Sequence, residues 1–266
     1  MKTFVWYFAL AAVLNPAALS AQNGPAAPSQ SDQLAASIAR AKSGNVDVVD
    51  VEIIAEAGAV QAIPSLEEQF ERTTDVDTKT KIANGLVRLG DKHDTYWNYL
   101  LDQATLAVDS DVPDALFSDA LGKTRDQISS ELQAWAQAHH VSANTAAQSA
   151  MYDLPGKVLE LAQTGDPRGI PLLRRALQSR DYMIAIFAAE GLAQIQDKDS
   201  ISLIIAACQR APTAASEIAE ALIWFDDPRA QTAVDTYMPK QHAKLFREAR
   251  SQGVGIFGGQ RTNPAP

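Results

Sequence analysis

The residues best suited to chemistry are few, and their spacing works against it. His139 and His140 are adjacent imidazoles. On a helix, neighbours point about 100 degrees apart, so the two meet one metal ion only with ligands supplied from elsewhere. No His-x-x-x-His, Cys-x-x-Cys or Glu-x-x-His accompanies them. They read as a solvated pair at a helix end, where a positive charge suits the C-terminal dipole. Asp109, Asp111 and Asp114 in "DSDVPD" lack the central glycine and the bidentate glutamate of a calcium loop, and read as a polar turn. Cys208 lies in the apolar run "SLIIAAC", where burial keeps a thiol protonated. No serine sits in a G-x-S-x-G elbow. The paired carboxylates Glu67-Glu68 and Asp226-Asp227 fall on a helix surface and in a turn, and spacing alone does not make either an acid and base pair. The expectation is therefore a protein that is not an enzyme, with no catalytic residue, no metal site and no cofactor.

The elements that would carry these residues repeat. "GDPRGIPLL" at Gly165–Leu173 returns as "QDKDSISLI" at Gln196–Ile204 and as "DDPRAQTAV" at Asp226–Val234, which places Asp166, Asp197 and Asp227 31 and 30 residues apart. Each turn follows the same helical ending: "IANGLVRL" (Ile82–Leu89), "AAEGLAQI" (Ala188–Ile195) and "IAEALIWF" (Ile218–Phe225). These place one apolar stripe at helical spacing. An aspartate just before a helix accepts hydrogen bonds from free N–H groups of the first turn, and Pro167 and Pro228 stand where a missing N–H costs nothing. Hairpins of this size bury one face each and gain a shared core by stacking, so the pattern predicts an all-α solenoid of stacked helical hairpins.

A longer period lies above the short one. Val51–Leu66 pairs with Val158–Leu173 at an offset of 107 residues, and Ala83–Lys92 with Ala189–Lys198 at 106, as an ancestral duplication with one indel would leave them. Residues 101–154 are less regular, with two helices expected to split near Val141 and Ser142. Whether this insert continues or caps the stack is left open.

"DPRGIPLLRRAL" and "AAEGLAQIQDKDSISLIIAA" resemble HEAT repeats, particularly the short kind also seen in phycobilisome lyase subunits, over about residues 51–100 and 155–238. Such repeats often carry an arginine early in the second helix facing the aspartate of the turn. Here those positions hold Lys79, Ala185 and Ala215, a departure from the pattern. The resemblance implies an armadillo-type superhelix whose second helices line a concave face. By register, Asn84, Arg88, Glu190, Gln194, Glu220 and Trp224 then form one broken stripe there, with Trp224 as an exposed aromatic and burial under the segment around Gln241–Arg250 as the alternative. Trp97, at the repeat position of Leu203, is expected in the core.

The ends and the charge bound the setting. Residues 1–21 combine Lys2, an apolar run from Phe4 to Leu14 and a small-residue exit at Ala18-Leu19-Ser20-Ala21, the grammar of a secretory signal with cleavage after Ser20 or Ala21. The run is too short to span a bilayer, and no later segment of the sequence could. One cysteine excludes an intrachain disulfide, and no Asn-x-Ser/Thr sequon occurs, so a bacterial periplasm or exterior is expected. The formal charge of −9 disfavours nucleic acid and anionic lipid as partners. The expected organisation is a linker at 22–32, a HEAT-like solenoid over 33–250 with the insert 101–154, and a Gly/Pro-rich tail at 251–266. The expected function is noncatalytic scaffolding of a protein or peptide partner. The rivals are an assembly component of a cell-envelope complex and, through the lyase resemblance, an enzyme subunit.

Overall fold

A computed structural model describes residues 29–91, 93–110 and 123–257. Residues 1–28, which hold the expected signal and most of the linker, lie outside it, as do Asp111, Asp114 and the tail from 258. The described chain is an all-α solenoid built of fourteen α-helices: α1 (Gln30–Ser43), α2 (Val48–Glu56), α3 (Ile63–Arg72), α4 (Val76–Arg88), α5 (Asp94–Val108), α6 (Arg125–Ala138), α7 (Ala143–Gln148), α8 (Leu154–Gln163), α9 (Ile170–Ala176), α10 (Tyr182–Gln194), α11 (Ile201–Arg210), α12 (Ala215–Glu220), α13 (Pro228–Tyr237) and α14 (Lys240–Ser251).

The hairpins are α1 with α2, α3 with α4, α5 with α8, α9 with α10 and α11 with α12. The second helices stack in sequence, α2 on α4, α4 on α8, α8 on α10 and α10 on α12, and one continuous apolar core runs through them. The third hairpin settles the place of the irregular segment. Helix α5 packs on α8 although α6 and α7 intervene in the chain, so Asp94–Val108 and Leu154–Gln163 continue the stack. Helices α6 and α7 form a side hairpin with its own small core of Ile128, Leu132, Ala136, Ala146 and Ala150.

Local chemistry explains where the helices begin. Ser29, Asp47, Asp75, Thr124, Ser142 and Asp181 each accept a backbone N–H of the first turn, satisfying groups with no helical partner. Asp166 and Asp227 act as expected, accepting from the N–H groups of Arg168 and Arg229 at 2.9 and 2.8 Å. Asp197 departs from that expectation. Its carboxylate is occupied by the Arg174 guanidinium (2.9 and 2.8 Å) and by the Ser200 hydroxyl, leaving no oxygen on the backbone. Asp166, Asp197 and Asp227 thus each meet an arginine, from their own turn or from the preceding first helix, although positions 79, 185 and 215 hold none.

Close approach of the second helices requires a missing side chain at two matched positions. A methyl group on Gly85 would fall 2.5 Å from Cγ1 of Val51 on α2, and one on Gly191 would fall 2.7 Å from Cβ of Ala162 on α8.

Candidate functional site

The stripe read from the sequence is mostly internal. Asn84 is buried and donates from Nδ2 to the backbone carbonyl of Glu160 on α8 at 2.6 Å. Arg88 donates to Oε1 of Glu52 at 2.6 Å and to Oδ1 of Asn84 at 3.3 Å. Glu190 is buried, Glu220 is half-buried, and Gln194 is exposed. Trp224 is 5% exposed, so of the two expectations the projecting aromatic is corrected and burial under the segment around Gln241–Arg250 holds. The turn 221–224 that carries it is covered by α14, whose Arg250 donates to the Ile223 carbonyl at 2.6 Å. The physical reason is that seams between second helices in this tightly packed stack consume the very positions that would project from an isolated hairpin.

An open groove lies elsewhere along the stack, sharing only α4 with that stripe. Val48, Val49 and Glu52 of α2, Asp77, Thr80 and Lys81 of α4, and Gly156, Lys157 and Glu160 of α8 line a groove of about 540 Å³, with Gln148, Tyr152 and Asp153 completing the lining. Tyr152 stands on a π-helical turn, Ser149–Asp153, that joins α7 to α8. Pro155 explains the turn: it has no N–H to give and its ring crowds the carbonyl four residues before it, so the helix widens there. Gln148, the last residue of α7, lines the groove beside this turn.

The groove floor is an ionic network. Lys81 Nζ lies 2.5 Å from Oε2 of Glu52 and 3.1 Å from Oε1 of Glu160, while Arg88 holds the other oxygen of Glu52. Burial pushes the Glu52 carboxyl up, but Arg88 and Lys81 outweigh it and leave it below the usual range. At Glu160, burial wins over Lys81 and the carboxyl is raised. The rim is different in kind: Val49 is 61% exposed, Tyr152 58% and Val48 43%, all three lining the same opening.

A second acidic pair sits deeper. Glu190 on α10 is fully buried with Oε2 unbonded; burial, then the charge of Glu220 on α12, raises its carboxyl well above the ordinary range. Burial, then Glu217, pushes Glu220 up to about 8. Elsewhere, Glu67, Asp91 and His93 bring ligand-type atoms within 4.8 Å of one another. Asp91 Oδ1 accepts the His93 backbone N–H at 2.8 Å and lies 2.7 Å from its Nδ1. Tyr96 bonds Glu67, so the cluster's polar atoms already close the turn before α5. His139 Nδ1 lies 2.9 Å from the Trp135 carbonyl oxygen, with the two rings stacked at 4.0 Å, which fits the helix-end role read from the sequence. Burial pushes the Cys208 thiol up to about 12, so it packs as a small apolar group.

No sequence signal marked Glu52, Lys81, Tyr152 or Glu160. Lys81 and Glu160 are 79 residues apart, and only the pairing of α5 with α8 across the side hairpin brings α4 and α8 together.

The fold therefore defines a stacked-hairpin solenoid with a groove along its second helices. Residues 157–223, spanning α8 to the turn after α12, match the HEAT repeats family and form a HEAT-like repeat domain. Proteins built from such repeats commonly act as scaffolds for protein–protein interaction. No curated protein matches the chain. Among the described residues no helix is long and apolar enough to cross a membrane.

Proposed function

We propose that this protein is an exported, noncatalytic scaffold that holds a protein or peptide partner along the concave face of its second helices, in the groove between α2, α4 and α8. The observation that carries the reading is the apolar rim: Val48, Val49 and Tyr152 stay in water around one opening, while Val51 and Ile54 of α2 and Ile82 and Leu86 of α4 are buried in the core. Grouped exposed apolar side chains with polar neighbours mark interaction sites, and a solenoid presents such a surface along several repeats. The groove is open and shaped by helix faces, which suits an extended or helical segment. Export rests on the charge, apolar run and small-residue exit of residues 1–21, and on a chain that holds itself together with a single cysteine. A bacterial periplasm or exterior is the compartment this composition suits.

The test is photo-crosslinking in the host cell. A photoreactive residue at position 49 and another at 152 are expected to trap the same protein, whereas one at Leu203, exposed on the first helix α11, traps none. Adducts that are equally abundant from all three positions, or absent from 49 and 152, overturn the groove reading. N-terminal sequencing of the mature protein addresses export separately: a chain retaining Met1 overturns it.

A further inference from the structure

We propose that the segment taken by this groove is basic, carrying lysine or arginine side chains beside aliphatic ones; the inference rests on the groove reading above and names the chemistry of its occupant. Four carboxylates face the opening, those of Glu52, Asp77, Asp153 and Glu160, against the two ammonium groups of Lys81 and Lys157. Lys81 is already shared between Glu52 and Glu160 in the floor, and Arg88 adds its charge to Glu52 from outside the groove lining. The floor is thus close to internal balance. At the mouth, Asp77 near the start of α4 and Asp153 at the end of the π-helical turn face the opening together, with Lys157 offsetting one of them.

Their mutual effect is visible in Asp77, whose carboxyl is held above the usual range first by burial and then by repulsion from Asp153 and Asp75, with Lys157 opposing. A cation entering between the two carboxylates relieves that repulsion. The rim supplies the other half of the complementarity. Lysine and arginine lay their methylene stems on apolar surface while their heads reach for charge, and the tyrosine face of an exposed Tyr152 also accepts a guanidinium. Val48 and Val49 then receive the aliphatic neighbours of the basic residue.

The whole chain argues in the same direction. Its 32 acidic and 23 basic residues give a formal charge of −9, so a second copy would bring further negative charge to an already acidic mouth, and an acidic partner would be repelled at encounter. A phosphate-rich surface is disfavoured for the same reason.

The experiment uses the full chain with the photoreactive residue at 152. The trapped segment is identified by mass spectrometry, synthesised with a fluorescent label, and titrated by anisotropy against the wild-type protein and the Asp77→Asn/Asp153→Asn variant. The expected segment is net positive. The double variant is expected to bind it about three- to tenfold more weakly, as loss of two partly exposed charge pairs implies. Raising salt from about 50 mM to about 0.5 M is expected to weaken wild type more than the variant. If the double variant loses its helical circular dichroism spectrum, Asp153→Asn alone makes the comparison. A trapped segment that is neutral or acidic, a trapped second copy of this chain, or binding indifferent to the substitutions and to salt overturns the basic-segment inference and leaves the groove standing. Absence of any adduct from positions 49 and 152 overturns the groove itself.

Discussion

The helices α2 to α5 and α8 to α11 are two copies of one packing scheme, and they differ in what lies at the seams. Gly85 and Gly191 occupy matched places and let α4 approach α2 and α10 approach α8. The residue before each glycine faces the next second helix, and there the copies part. Asn84 donates to a carbonyl of α8 and stands beside Arg88. Glu190 is buried with Oε2 unbonded and feels the charge of Glu220 on α12. The first seam is satisfied as a neutral amide within an ionic network, the second only as long as its acids keep their protons. A repeat therefore preserves shape at the positions that touch and leaves the polar filling of each seam open to change.

The largest effect should come from the matched pair on the first helices. Trp97 is 4% exposed, with Arg168 lying 4.6 Å over its ring, whereas its counterpart Leu203 is 41% exposed. Trp97→Ala is expected to cost about 3–5 kcal/mol in chemical denaturation and Leu203→Ala no more than about 0.5 kcal/mol. Equal losses would mean the two copies share more packing than their burial implies.

Next come the glycines. At Gly191 an added methyl also meets the Ala162 backbone, at 3.0 Å from Cα, so the helices must separate; at Gly85 the obstacle is a valine side chain that can turn. Gly191→Ala is expected to destabilise by about 1–3 kcal/mol, and Gly85→Ala by clearly less, once the gain of about 1 kcal/mol in helix propensity is set against the overlap. A reversal of that order, read from denaturation midpoints, would place the tighter seam in the first copy.

The polar seams should respond with opposite signs. Asn84→Ala strands the Glu160 carbonyl and is expected to cost about 1–2 kcal/mol. Glu190→Gln removes a carboxyl that burial must hold protonated, and is expected to be neutral or stabilising at neutral pH. The pH dependence follows from the direction of the shifts. Glu190 and Glu220 have carboxyls raised in the folded protein, so their stabilising protons are fully present below the ordinary glutamate value of 4.5 and are lost as pH rises toward about 8 for Glu220. The lowered groups, such as Asp227 at about 2, act only at the acid end, where protonation removes their contribution. The denaturation midpoint is therefore expected to fall between about pH 5 and pH 8, and Glu190→Gln/Glu220→Gln should flatten that fall. A flat wild-type profile would show that the second seam has found partners for its charges.

The sequence showed the turns, most of the helix starts and the repeat period, because each depends on residues within one hairpin: a capping aspartate, a proline at the first helical position, an apolar stripe at helical spacing. It also placed Trp97 and Cys208 in the core, and both are there, although Leu203, the repeat position from which Trp97 was read, is 41% exposed. It also named the second helices as the face to examine. What it misjudged is where on that face water reaches. Asn84 and Glu190 looked like surface because periodicity describes a helix against its hairpin partner, and their burial comes from the neighbouring hairpin; for Trp224 the alternative, cover by α14, is what holds.

The groove was decided by tertiary structure alone. Glu52 and Lys81 lie 29 residues apart, Lys81 and Glu160 lie 79 apart, and Tyr152 reaches the rim through a π-helical turn forced by Pro155. No local pattern links them, since α5 finds α8 only after the chain has made a separate hairpin. Local chemistry wrote the parts and their period; the stacking of second helices chose which side chains face one another and which stay in water.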